Sequence, residues 1–170
     1  MSVNRGKVAR QGTNDGLCGI YCLINAVRND DRLRGSSRED LLRYLLEAAT
    51  RLNNLTAAKI SGGYEAHELV DIFNVFAASF DLSLCAQLLA TLRRSLPDLS
   101  LPAISNHVFD RNGHMVIHTK DHEHWFLAYA YDSNTNQYLV EDSSSDYQKT
   151  AISLRRALSL GLAILPKDEQ

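Results

Sequence analysis

The chain carries three thiols, Cys18, Cys22 and Cys85. A thiol does chemistry only when a base stands beside it and a third group orients that base. Cys18 follows Gly16-Leu17 at the point where an apolar helical pattern begins. In the first turn of a helix a thiol meets the positive end of the helix dipole and unpaired backbone N–H groups. Both favour the thiolate, which is the nucleophilic form. Cys22 lies one turn deeper on the same face, where a cysteine behaves as a small core residue. Cys18 is therefore the candidate nucleophile.

The candidate base is His124, which opens the apolar run Trp125-Phe126-Leu127-Ala128-Tyr129-Ala130-Tyr131. A histidine at the start of a strand sits at the rim of a sheet, where the end of a neighbouring helix can meet it. His122 is the nearest rival. Asp142, which ends the run Gln137-Tyr138-Leu139-Val140-Glu141, is the candidate orienting carboxylate, with Glu141 as the fallback and Asp132, in the turn, behind both. Paired opposite Phe126 in a hairpin, Asp142 shares a face with His124 and comes within its diagonal reach. Paired opposite Leu127, it falls on the other face. The turn leaves both registers open, and a bulge is one route to the first. An oxyanion formed at Cys18 needs hydrogen-bond donors. The Cys18 N–H is one. The side-chain amide of Gln11 is a candidate second, with Asn14 as an alternative whose ordinary role is a helix cap.

A zinc site would need more thiol or imidazole ligands at short spacing. Cys18 and Cys22 stand four apart with no CxxC motif, and most of the histidines gather between His107 and His124. No metal and no cofactor is expected.

The elements that must position these groups follow from periodicity. Leu17, Ile20, Tyr21, Ile24 and Val27 recur at helical spacing and predict a helix over 17–28, opened by the turn-and-cap cluster Asn14-Asp15-Gly16. Ser37 and Asp40 resemble a capping box ahead of the stripe Leu41, Leu42, Leu45, Leu46 and Ala49, which predicts a helix over 37–52. Residues 53–63 read as a loop ended by Gly62-Gly63, followed by a third helix over 65–78. Then the period changes. A short strand over 82–85 and a helix over 87–96 precede strands over 114–119, 124–131 and 137–142. Asp132-Ser133-Asn134-Thr135-Asn136 makes the last two a hairpin. A helix over 150–160 and a strand over 162–165 complete the reading. Helices first and strands later is the α+β order, with an antiparallel sheet packed on the early helices.

The 170 residues fit one domain, with a helical half over about 1–96 and a sheet half over about 97–170. A hydrophobic content of 45% and a charged content of 22% are those of a globular protein, which argues against disorder and coiled coil. A net charge of −2 and a pI near 6.3 give no footing for nucleic-acid binding. Arg93-Arg94 and Arg155-Arg156 read as solvated helix faces. No apolar run is long enough for a membrane span, and the polar start lacks a signal-peptide core. The expected location is the cytoplasm, or delivery elsewhere by a secretion machinery that uses no cleaved signal. An odd cysteine count in such a chain argues against a disulfide framework.

The segment from Gln11 through Cys18-Gly19 to Ala26 resembles the nucleophile helix of papain-like cysteine peptidases. The block His124-Trp125-Phe126-Leu127 followed by Tyr138-Leu139-Val140-Glu141-Asp142 resembles their base and orienting strands. Two branches come nearest. Josephin-type deubiquitinases share the Leu17-Cys18-x-x-x-Cys22-Leu23-x-Asn25 pattern and the His-Trp-Phe strand. Bacteriocin-processing double-glycine peptidases share a Gln ahead of a Cys-Gly helix, a His-Trp strand and an Asp ending the next strand. Asp15-Gly16-Leu17-Cys18 is also similar to the Asp-Gly-x-Cys of ovarian-tumour-type deubiquitinases, which would make Asp15 functional. The middle of the chain carries no such likeness.

The resemblance implies a papain-like cysteine hydrolase with Cys18, His124 and Asp142 as its triad. Its partner would be a protein or peptide, ubiquitin-like or a host protein among the possibilities, cleaved at an amide or isopeptide bond. Glutamine deamidation or acyl transfer on the same fold is the first alternative. A non-catalytic binding module is the second.

Overall fold

The computed structural model describes residues 16–96, 100–119, 124–143, 150–153 and 161–167. Helix α1 (Cys18–Val27) opens the described chain, and Ile20, Leu23, Ile24 and Val27 along it are fully buried. Each such side chain withdrawn from water contributes roughly 1.5–3 kcal/mol, so tertiary packing rather than intrinsic propensity holds this short helix. A 3-10 turn (Asp31–Leu33) leads to α2 (Arg38–Arg51), which starts with the expected capping box: Ser37 Oγ accepts from Asp40 N–H, and the Asp40 carboxylate accepts from Ser37 N–H.

The 53–63 stretch is not loop throughout. Thr56 accepts from Lys59 N–H and starts a short helix, α3 (Ala57–Gly62). Helix α4 (Ala66–Ser79) has the expected stripe of Leu69, Ile72, Phe73 and Phe76 against the core. Strand β1 (Leu84–Leu88) runs three residues past the expected end, and α5 (Leu89–Ser95) follows directly. Helix α6 (Leu101–Asp110) matches no expectation from the sequence, which assigns no element between 97 and 113. Pro102 lies in its first turn, where the missing N–H costs nothing, and Ser100 caps it.

Strands β2 (His114–Thr119), β3 (His124–Asp132) and β4 (Gln137–Glu141) stand where periodicity puts them. Residues 151–153 correct the expectation of a helix from 150: they form β5 (Ala151–Ser153), an edge strand made by pairing with β4. Strand β6 (Gly161–Pro166) is the last in the chain. All pairings are antiparallel and the order is β1-β6-β2-β3-β4-β5, with the last strand inserted between β1 and β2. The split into a helical and a sheet half is therefore not spatial. β1 joins the sheet from the first part of the chain, and α6 covers it from the second.

Helices lie on both faces of the sheet, and the two apolar layers follow strand parity. On one face α1, α2 and α4 pack on Val116, Trp125, Leu127, Leu162 and Ile164. On the other, Leu92 of α5 and Ile104 and Val108 of α6 pack on Met115, Ile117, Phe126, Ala128, Tyr138 and Leu165. Gly113 turns the chain from α6 into β2 where a Cβ would stand 2.7 Å from the Ile164 carbonyl. Among the described residues no helix is long and apolar enough to cross a membrane. Arg93 and Arg94 are exposed on α5, as expected.

Candidate active site

Cys18 is the first residue of α1, and its N-cap, Leu17, provides no side-chain cap. The opening N–H groups of the helix therefore lie beside the thiol. Cys18 is enclosed, at 6% exposure. The chain reaches it through Gly16, whose N–H donates to the Ile60 carbonyl at 2.6 Å. A Cβ on Gly16 would lie 2.5 Å from Gly63 N, so only glycine lets this turn approach the end of α3 so closely. Gly63 has φ +87°, also a glycine conformation.

Trp125 wedges the other side of the same turn. Its indole N–H donates to the Tyr64 carbonyl at 3.2 Å, and its Cδ1 would be 3.3 Å from a Cβ on Gly19. His118, its cross-strand partner, packs its ring on the indole with centroids 4.8 Å apart. Trp125 thus pins the start of β3 against the start of α1. Its neighbour His124, on the opposite face of the strand, lies at the sheet's rim.

There His124 meets both partners expected of it. Its Nε2 lies 2.9 Å from Asp142 Oδ1, with ring and carboxylate side chains 13% and 2% exposed. The Cys18 thiol hydrogen-bonds the same ring, which leaves it Nδ1. Burial pulls the ring toward its neutral form. The hydrogen bonds and charges of Asp142 and Cys18 outweigh this and raise its pKa from 6.5 to about 9. Phe126 packs edge-on against the ring with centroids 4.7 Å apart.

The register that brings Asp142 here is a compound one. Next to the turn, Asp132 pairs with Gln137, Tyr131 with Tyr138 and Ala130 with Leu139. The ladder then shifts at a bulge, and Ala128 pairs with Val140 and Leu127 with Glu141. Continued one step, that register sets Asp142 opposite Phe126, on the face of His124. Without the bulge Asp142 would stand opposite Leu127 and face α1.

The other candidates are disposed differently. Glu141 points to the α1 face and pairs with Arg28, its Oε1 2.8 Å from Nη2, away from His124. Asp132 is spent on the turn, accepting from Asn134 N–H and Thr135 Oγ1. Gln11, Asn14, Asp15 and His122 lie outside the described residues. Cys22 is fully buried, and burial pushes its thiol well above the ordinary value, with the charges of Cys18, Asp142 and Glu141 adding to the effect. Among the described residues no three His, Cys, Asp or Glu side chains gather as metal ligands would.

Sequence reasoning missed Tyr64 and Arg28. The Gly62-Gly63 pair ahead of Tyr64 was the available signal for a close approach; Arg28 left none, because its partner is remote in sequence. A separate pocket of about 390 Å³ opens at the far end of α1, lined in part by Asn25, Arg28, His114, Tyr129 and Glu141. Cys18, His124 and Asp142 are not part of its lining.

No family model matches this sequence, and no curated protein matches it. Solved structures do. The peptidase domain of Streptococcus ComA, described as a bi-functional ABC transporter involved in a quorum-sensing pathway, aligns over 94% of this chain and 97% of that one, with TM-score 0.51 and 19% identity. The peptidase domain of Streptococcus mutans ComA aligns over 94% and 98%, with TM-score 0.42 and 16% identity. The first likeness shows that the chain has the α+β, papain-like fold of the ComA peptidase domain.

Proposed function

We propose that the protein is a papain-like cysteine peptidase that cleaves an amide bond of a peptide or protein through Cys18, His124 and Asp142. The observation that carries the reading is the convergence on one imidazole: the Cys18 thiol on one side and the buried Asp142 carboxylate, 2.9 Å away, on the other. The fold shared with a peptidase domain supports it. The deubiquitinase, effector and deamidase variants draw no support from the comparisons.

The chemistry follows from the roles. The Cys18 sulfur attacks the scissile carbonyl carbon, and the carbonyl oxygen takes up negative charge at the N-terminus of α1, where the Cys18 N–H serves as one donor. His124, protonated, gives its proton to the departing amine, leaving a thioester on Cys18. It then takes a proton from water, which attacks the thioester and frees the acid. Asp142 holds the ring with its other nitrogen toward the sulfur and stabilises the charged ring. Gln11 is assigned the second oxyanion donor.

The reading is tested by incubating the purified chain with a mixed peptide library and sequencing the products by mass spectrometry. New termini that appear with wild type and not with Cys18→Ala are expected. Identical product sets from the two proteins would overturn it.

A further inference from the structure

Two acids stand side by side at the end of β4, and only one of them faces His124. Which one does so depends on the bulge in β3. Just two rungs, Ala128 with Val140 and Leu127 with Glu141, carry the register beyond it. If the ladder ran on in the register set next to the turn, Glu141 would stand opposite Ala128, on the histidine's face. Asp142 would stand opposite Leu127, on the α1 face. A slip of one residue changes every side chain's face, so whatever holds Glu141 on the α1 face also holds Asp142 beside His124.

A buried ion pair sits at this point. Arg28, the C-cap of α1, reaches Glu141 Oε1 from Nη2 at 2.8 Å and Asn25 Oδ1 from Nη1 at 3.0 Å. The side chains of Arg28 and Glu141 are 8% and 11% exposed. Burying two charges costs about as much as their attraction returns, so such a pair adds little net stability over apolar residues of the same size. Its best attested use is to select one register over another.

We infer that Arg28 is a positioning residue: by holding Glu141 on the α1 face it fixes the bulged register and so presents Asp142 to His124. The inference rests on the reading of Asp142 as the partner of His124 in catalysis. Arg28 bonds Glu141 and Asn25, and its effect on the reacting groups is carried by the strand. In the slipped register Glu141 would leave the guanidinium without its carboxylate, a penalty that adds to the loss of Tyr138 and Val140 from the layer under α6. Asn25, on the same helix, holds the guanidinium from its other side.

The test separates register from stability. Arg28→Met, Arg28→Lys and the double variant Arg28→Met/Glu141→Leu are compared with wild type and Asp142→Asn. Three quantities are read: Tm, kcat and KM on a cleaved peptide, and the nitrogen-correlated NMR signal of the His124 Nε2–H bonded to Asp142. Arg28→Met should weaken that ring signal and lower kcat at least tenfold with KM within twofold, and Arg28→Lys should recover part of both. The double variant has no buried charge and should regain the wild-type Tm while the ring signal and kcat stay low. A double variant with wild-type Tm, ring signal and kcat would overturn the inference and leave the pair merely structural. Should Arg28→Met or the double variant fail to fold, Arg28→Lys decides: a lowered kcat with the ring signal weakened supports the role, and an unchanged ring signal overturns it. Asp142→Asn is the separate control. If it keeps the wild-type kcat, the catalytic reading falls whatever Arg28 does.

Discussion

His124 gathers the charge of this site, and its two neighbours have different work. Replacing it by alanine removes the group that exchanges protons with sulfur, amine and water, a loss typically on the order of 10²–10⁴-fold in rate. Asp142→Asn should be milder, because an amide still hydrogen-bonds the ring and orients it. Peptide cleavage rates of the two variants check the order. The ring's pKa, raised in the folded chain from 6.5 to about 9, also sets a pH dependence of stability. The folded state prefers the charged ring, so its contribution is complete below 6.5 and is lost as the pH rises through about 9. The Tm difference between wild type and His124→Ala should therefore be widest below pH 6.5 and close above 9. A difference that does not vary with pH would contradict this. The two cysteines of α1 divide likewise. Cys18→Ala should abolish cleavage with little change in Tm, whereas Cys22→Ala, at a fully buried site, should cost roughly 1 kcal/mol and retain activity. The reverse pattern would show that the nucleophile is misassigned.

At the scale of elements, the site is a meeting of three ends: the start of α1, the start of β3 and the end of β4. Close packing at glycines holds the first of these. A Cβ on Gly19 would meet Leu69 Cδ1 at 2.7 Å, the end of a flexible side chain that can turn aside. On Gly16 it would meet the Gly63 backbone, which cannot. Overpacking costs about 1–3 kcal/mol. Gly16→Ala should therefore lower Tm more than Gly19→Ala and reduce cleavage as well, since it pushes the α3–α4 connection off the nucleophile's turn. Equal, small Tm shifts would sink that account. Much at this scale was legible because it is local. The apolar spacing of α1, the Ser37–Asp40 box and the alternation in β3 and β4 each sit within one turn or one hairpin. What was hidden depends on remote partners. The bulge that sets Asp142 follows from packing on two faces at once. Arg28 finds Glu141 across 113 residues of sequence. Strand β5 exists because β4 offers it an edge, which overrides the helical look of its residues.

For the whole molecule, the chain order of helices before strands foretold the α+β class and the antiparallel sheet. It did not foretell the second helical layer. Helix α6 answers to no expectation from the sequence, and β6 crosses back to lie between β1 and β2, a pairing no periodicity encodes. The two apolar layers share the one sheet, so they should unfold as one cooperative unit. Phe73→Ala in the layer under α1, and Ile104→Ala in the layer under α6, should each lower stability, by roughly 3–5 and 2–5 kcal/mol. Each should shift a single transition on which circular dichroism and Trp125 fluorescence coincide. Two separated transitions would mean that the layers fold independently.

The most direct test of the central claim is covalent capture. A peptide carrying an electrophile in place of the scissile carbonyl is incubated with wild type and with His124→Ala at neutral pH, and the adduct is located by peptide mass spectrometry. The account predicts a single adduct on Cys18 in wild type, formed at least 100-fold more slowly in His124→Ala, in line with the loss of a general base. An adduct on Cys85 or Cys22 instead, or equal rates of capture in the two proteins, would contradict it.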